Sequence, residues 1–237
     1  MVSNSLSPVC IVIFILVIVV AFIAAMIYSK KRGKSAASAA QQVGFVNESK
    51  PDIALMERLE EIFQPSKVNR VEYLGKRVEG DELIYIFDIM TSSPRYYQRQ
   101  RSSGNSEYRT VAVISPHLNL PPFLLVGRVN APAFVGNAIN DMMDMGASMA
   151  GYTEVENIPP AFSLNYSLYV KEDVRNNAVF TDTVLTQIAQ VPLMVARGMG
   201  DTLVFNTMDA RRGIVMDANA IAAHVTKAIQ LVRWLSR

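Results

Sequence analysis

The densest chemistry in this sequence lies between residues 95 and 109. Arg95, Arg99, Arg101 and Arg109 surround a single acid, Glu107, with Tyr96, Tyr97 and Tyr108 interleaved. Guanidinium groups fork around phosphate oxygens and tyrosines stack or sit at interfaces. The composition therefore suits anionic lipid headgroups, a protein partner or single-stranded nucleic acid. The same residues would also keep a solvated hairpin tip in solution.

The remaining reactive groups do not assemble into a recognisable catalytic set. His117 stands in a Pro-rich turn and His224 on a C-terminal helical stretch, neither at metal-ligand spacing, and the one thiol is Cys10. Gly198-Met199-Gly200 lacks a third glycine and a following helix, so it reads as a hairpin turn rather than a dinucleotide loop. Met142, Met143, Met145 and Met149 have the unbranched side chains of an adaptable peptide groove, but their helical spacing is also that of a core stripe. Asp141 and Asp144 are three apart with no histidine nearby, which is the pattern of a solvated face. No catalytic residue, cofactor or metal site is expected. An enzyme would need a hydrolase-like site dispersed over distant segments.

The Arg/Tyr segment has to be read together with the membrane. Residues 9–28 are free of charge and almost wholly apolar, and Lys30, Lys31, Arg32 and Lys34 follow at once. Twenty helical residues at 1.5 Å each match the roughly 30 Å hydrocarbon layer of a bilayer. The segment before them carries no charged side chain, so the positive-inside rule puts residues 1–8 outside the cell membrane and the C-terminal domain in the cytoplasm. A cleaved signal peptide would have a basic start and a shorter apolar core, so a single-pass signal anchor is expected. Cys10 lies at the outer end of the span, where packing at membrane level accounts for it. The four juxtamembrane cations serve first as the orientation signal and secondarily attract acidic lipid.

Those cations also explain the overall charge. The chain carries a formal net charge of +2, and without these four there remain 19 Lys and Arg against 21 Asp and Glu. No basic field spans the domain, so nucleic acid is not an expected partner. The expected partners are the membrane itself, its anionic headgroups, or a membrane protein.

The elements that would position these groups follow from periodicity. Residues 29–50 combine the basic flank with the small, polar, weakly patterned SAASAAQQVGFVNESK, which reads as a linker. The domain then covers 51–237. Ile53, Met56, Leu59 or Glu60, and Phe63 recur at helical steps before Pro65. VNRVEYLGKRV, the turn Glu79-Gly80-Asp81 and ELIYIFDIMT predict a hairpin, its second strand apolar on both faces and therefore central. The polar stretch 92–106 joins this strand to an antiparallel partner, YRTVAVIS, and a short strand is expected over 123–128. Phe134, Ala138, Met142, Met145 and Met149 predict a helix from Pro132 to Gly151. AFSLNYSLYV alternates strictly, as does a strand buried on one side. Thr181 or Asp182 caps a short helix, a hairpin turns near 198–201, and Asp217 caps a last helix bearing Ile221, Val225, Ala228, Val232 and Leu235.

The expected fold class is α+β: one N-terminal transmembrane helix, then an antiparallel sheet packed by helices. The succession YIFDIMT, YRTVAVIS, LNLPPFLLVGR, AFSLNYSLYV, VFTDTVLTQI, DTLVF and a closing helix resembles a family of uncharacterised prokaryotic single-pass membrane proteins with a cytosolic α+β domain. The resemblance implies an anchored domain and transfers no activity. The expected function is a membrane-anchored, non-enzymatic module that binds a protein partner or the anionic membrane surface. A dispersed-site enzyme and a structural subunit of a membrane complex are the alternatives.

Overall fold

The computed structural model describes residues 8–47, 52–64, 66–92, 105–128, 147–148, 150–171, 179–191, 194–207 and 217–236. The helix stripe expected over 132–149 lies almost wholly outside them.

Helix α1 (Pro8–Gln42) opens the chain, and α2 (Ile53–Ile62) follows. Eight strands are described: β1 (Lys67–Glu79), β2 (Glu82–Ser92), β3 (Asn105–Ile114), β4 (Leu120–Gly127), β5 (Tyr152–Glu154), β6 (Tyr166–Lys171), β7 (Met194–Gly200) and β8 (Thr202–Thr207). One helical turn, α3 (Pro160–Ser163), precedes β6; α4 (Asp182–Ile188) follows it, and α5 (Ala218–Leu235) closes the chain. The strands form one sheet in the order β1-β2-β3-β8-β7-β4-β6-β5, antiparallel throughout. The fold is α+β, an antiparallel sheet packed by helices.

Alternation along the strands divides the core in two. Ile84 and Ile86 of β2, Val111 and Val113 of β3, Leu203 and Phe205 of β8, and Phe123 and Leu125 of β4 face α4, α5 and the end of α1. On the reverse face Tyr85, Phe87, Ile89, Ala112 and Val204 receive Leu55, Leu59 and Ile62 of α2. Beside them Val126 and Tyr169 pack with Ala147 and Tyr152. The helix caps fall where short polar side chains precede apolar periodicity. Asp52 accepts from the Ala54 amide, Thr181 from Val184 and Asp217 from Ala220.

Four local expectations change. Helix α2 buries Leu55, Leu59 and Ile62 and leaves Ile53 exposed, because its contact stripe is set by the sheet beneath it. Strand β4 begins at Leu120 and carries Pro121 and Pro122 through a register shift between Leu120 and Phe123, where a missing N–H costs the ladder nothing. The alternating run AFSLNYSLYV starts as the turn α3 and becomes strand only at Tyr166, leaving Leu164 exposed. Strand β6 is buried on both faces rather than one, since Tyr169 packs into the cluster of Val126, Ala147 and Tyr152.

A fifth change concerns α1. Its backbone stays helical through Gln42, and Ala36, Ala39, Ala40 and Phe45 belong to the main core. These residues were expected in a linker. Among the described residues no helix is long and apolar enough to cross a membrane. The continuous apolar stretch of α1 whose side chains are described is residues 13–23, ~16 Å of helix.

Candidate functional site

Strands β2 and β3 are joined by the Arg/Tyr segment at the end where Ser92 pairs with Asn105. Arg95, Tyr96, Tyr97, Arg99 and Arg101 lie outside the described residues. Tyr108 sits on β3 opposite Ile89. Arg109, one residue on, is opposite Asp88, and the structure takes it out of any exposed cluster. Its Nε donates to Asp88 Oδ1 at 2.8 Å and its Nη2 to Asp88 Oδ2 at 2.9 Å. Asp88 is 8% and Arg109 5% exposed. A guanidinium so enclosed needs its carboxylate, and the bidentate fork satisfies both charges at once.

The signal for this pair was present in the strand. Asp88 is the only acid inside the apolar run of β2, and an ionised residue in a doubly buried strand requires a partner at cross-strand distance.

His224 of α5 is buried with its ring 4.9 Å from that of Phe205. Burial, then the Lys227 charge, lowers its pKa to about 4; the Arg109 charge acts the same way, while a hydrogen bond to the Phe205 backbone opposes them. Its imidazole is therefore neutral at physiological pH and a poor base. His117 is exposed at the β3–β4 turn, its Nε2 3.8 Å from Asp81 Oδ2. His117 stands beside Asp81, just before β2, and His224 against Phe205, which aligns through Val111 with Ile86 in the middle of that strand, so the two have different surroundings.

A second polar anchor fixes α2 to the sheet. Arg58 donates to both carboxylate oxygens of Asp201, at 3.2 and 2.8 Å, and the Thr202 hydroxyl donates at 2.7 Å. Partial burial works against ionisation of Asp201, but these hydrogen bonds and the Arg58 charge outweigh it and hold the carboxyl below its usual range. Nearby, the Arg197 guanidinium lies 4.9 Å over the Phe63 ring.

A shallow groove of about 220 Å³ opens at the sheet edge beside β5, lined by Thr153, Glu154, Val155, Glu156 and Val170. Glu154 accepts from Arg128 Nη2 at 3.0 Å, and Arg128 Nε donates to Ser167 Oγ at 3.0 Å. Its lining is two carboxylates, one hydroxyl and valines, with neither histidine. Among the described residues, no group of three or more His, Cys, Asp or Glu could hold a metal ion.

A chemically uniform surface belongs to α1. Ile13, Phe14, Ile15, Leu16, Val17, Ile18, Val19, Val20, Phe22 and Ile23 are each 48–66% exposed. More than two consecutive turns thus present aliphatic and aromatic side chains in every direction, whereas a helix serving only a protein core presents one stripe. Lys30, Lys31, Arg32 and Lys34 follow on the same helical backbone.

No protein-family model and no curated protein matches the sequence, and the chain is assigned to no family. Among solved structures, the crystal structure of the mycobacterial trehalose monomycolate transport factor A, TtfA, is similar. It aligns with a TM-score of 0.44 at 12% identity, covering 86% of this chain and 92% of that one.

Proposed function

We propose that the chain is a single-pass membrane protein. Residues 9–28 of α1 cross the bilayer, and the α+β domain works as a non-enzymatic binding module on the cytoplasmic side. The observation that carries this reading is the helix exposed and apolar on all sides over residues 13–23. In water that surface would be a large hydrophobic liability; in lipid it needs no partner. The uncharged segment before the run and the cations after it set the orientation.

The module's ligand is the anionic face of the membrane, reached through Arg95, Arg99 and Arg101 with Tyr96, Tyr97 and Tyr108. Arg109 has no part in it, being committed to Asp88. Flotation of the full chain with lipid vesicles tests the anchor: the protein rises with the vesicles and resists alkaline extraction. Release at alkaline pH overturns the anchor. For the loop, a C10S/S102C chain carries an environment-sensitive dye at residue 102. Its emission shifts to the blue in anionic relative to neutral vesicles, and the shift disappears in R95A/R99A/R101A. Equal emission in both lipids refutes headgroup contact and leaves a protein partner as the ligand.

A further inference from the structure

We infer that α1 is a rigid stalk, its last turns clamped in a socket of the domain, so that the domain is held at one height and in one orientation on the bilayer. This rests on the membrane reading of residues 9–28. The helical backbone is continuous from Pro8 to Gln42, across the apolar band, the cations and the first core residues. Ala36, Ala39 and Ala40 are 3%, 7% and 0% exposed, and methyl side chains let the helix backbone lie close against α5 and β1.

The chain then reverses instead of trailing away. The amides of Val43 and Phe45 both donate to the Ala40 carbonyl at 3.1 Å, and Gly44 donates to Gln41 at 3.0 Å with a φ of 88°, the left-handed cap that glycine takes without strain. The reversal drives Phe45 into the core at 3% exposure. Gly75 of β1 makes the room: a Cβ there would stand 2.7 Å from Phe45 Cβ. Arg77 closes the socket, donating through Nη1 to the Val43 carbonyl at 3.0 Å with its guanidinium 5.3 Å over the Phe45 ring. Val46 and Lys76 then exchange backbone hydrogen bonds of 2.8 and 2.9 Å.

Ala36 lies eight helical steps beyond Tyr28, the end of the apolar run, which is ~12 Å of helix. That distance carries the chain through the headgroup layer and little further. Gly33 is the one strongly helix-weakening residue on the way, and it lies inside the helical span. No stretch of extended or irregular backbone intervenes to let the domain turn. The same surface of the domain therefore meets the membrane in every copy.

A rigid helix converts added length into rotation. Each inserted residue turns the domain by about 100° and raises it by about 1.5 Å. The test uses the full chain with C10S, a donor dye at Q190C or at Q64C, and acceptor dyes on the headgroups of vesicles. Two or four alanines are inserted between Lys34 and Ser35. Energy transfer at one or both label sites departs from the parent value with two alanines, a turn of about 200°, and returns toward it with four, which restore the phase to within about 40°. Inserting Gly-Ser of equal length abolishes this recurrence. A smooth decline with length, the same for alanine and Gly-Ser, overturns the stalk while flotation keeps the anchor intact. A chain that does not float overturns the membrane reading and the stalk together.

Discussion

Removing Asp88 should unfold much of the stability of this domain, and the reason can be worked from geometry. The carboxylate accepts two charge-assisted hydrogen bonds from Arg109, and both residues are under a tenth exposed. Asp88→Ala leaves the guanidinium buried and uncompensated, a loss of about 3–5 kcal/mol. For a domain of this size that corresponds to a fall in Tm of roughly 6–20 °C. The double replacement Asp88→Leu with Arg109→Met removes both charges and retains volume. It should recover most of the loss and come within about 1 kcal/mol of the parent or exceed it. Thermal unfolding of the full chain in mild detergent, followed by fluorescence of Trp234, the single tryptophan, reads both variants. A cost for Asp88→Ala below about 1 kcal/mol is what an exposed pair would show. That result would refute the buried pair and return Arg109 to the exposed Arg/Tyr cluster. Equal losses in the single and double variants would show that packing, not an abandoned charge, is responsible.

Acid should weaken the fold through His224. Its folded pKa of about 4 lies below the ordinary value of 6.5, so between these pH values the unfolded chain binds more protons than the folded one. The contribution is complete above pH 6.5 and is lost as pH falls toward 4, amounting to about 2–3 kcal/mol between roughly pH 7 and 4.5. His224→Phe should flatten that part of the profile, and unchanged acid slopes would contradict it. Gly198→Ala tests the sheet: the added methyl would stand 2.7 Å from Leu120 Cδ1 and closer still to the Phe123 ring, both in the main core. A loss of about 1–3 kcal/mol in urea unfolding is expected. Parent-like stability would mean that β4 and β7 do not meet in this register.

The parts of the fold that were legible in sequence are those whose causes are local. A turn residue between two alternating runs specifies β1–β2 and β7–β8, because side-chain alternation and turn chemistry act over a few residues. The stripe of α5 and the caps at Thr181 and Asp217 belong to the same class. Strand order does not. The β7–β8 hairpin enters the sheet between β3 and β4, and no feature of YRTVAVIS or LNLPPFLLVGR names that neighbour. Burial of β6 on both faces depends likewise on a second layer contributed by residues near 147–152. The Arg/Tyr segment shows the limit from the other side. Counting arginines treats Arg109 as one of four equals, whereas its cross-strand position opposite Asp88 removes it, and only a register makes that visible.

The same distinction explains why SAASAAQQ reads as a tether and folds as a socket. Hydropathy measures how strongly a side chain avoids water, and on that scale alternating alanine and serine carry almost no pattern. Close approach of two backbones depends instead on the absence of bulk, which the same residues supply. Ala36, Ala39 and Ala40 acquire their burial from α5, β1 and the returning Phe45, all distant in sequence. Lys30, Lys31, Arg32 and Lys34 therefore lie on a helix held at its far end by protein and, in the proposed reading, at its near end by lipid. On such a helix the cations do more than mark the cytoplasmic side. In that reading the spacing between the apolar band and the first buried alanine sets both the height and the rotation of the domain, so insertion or deletion in this short segment should perturb binding to anionic vesicles more than substitution of any one of its charges.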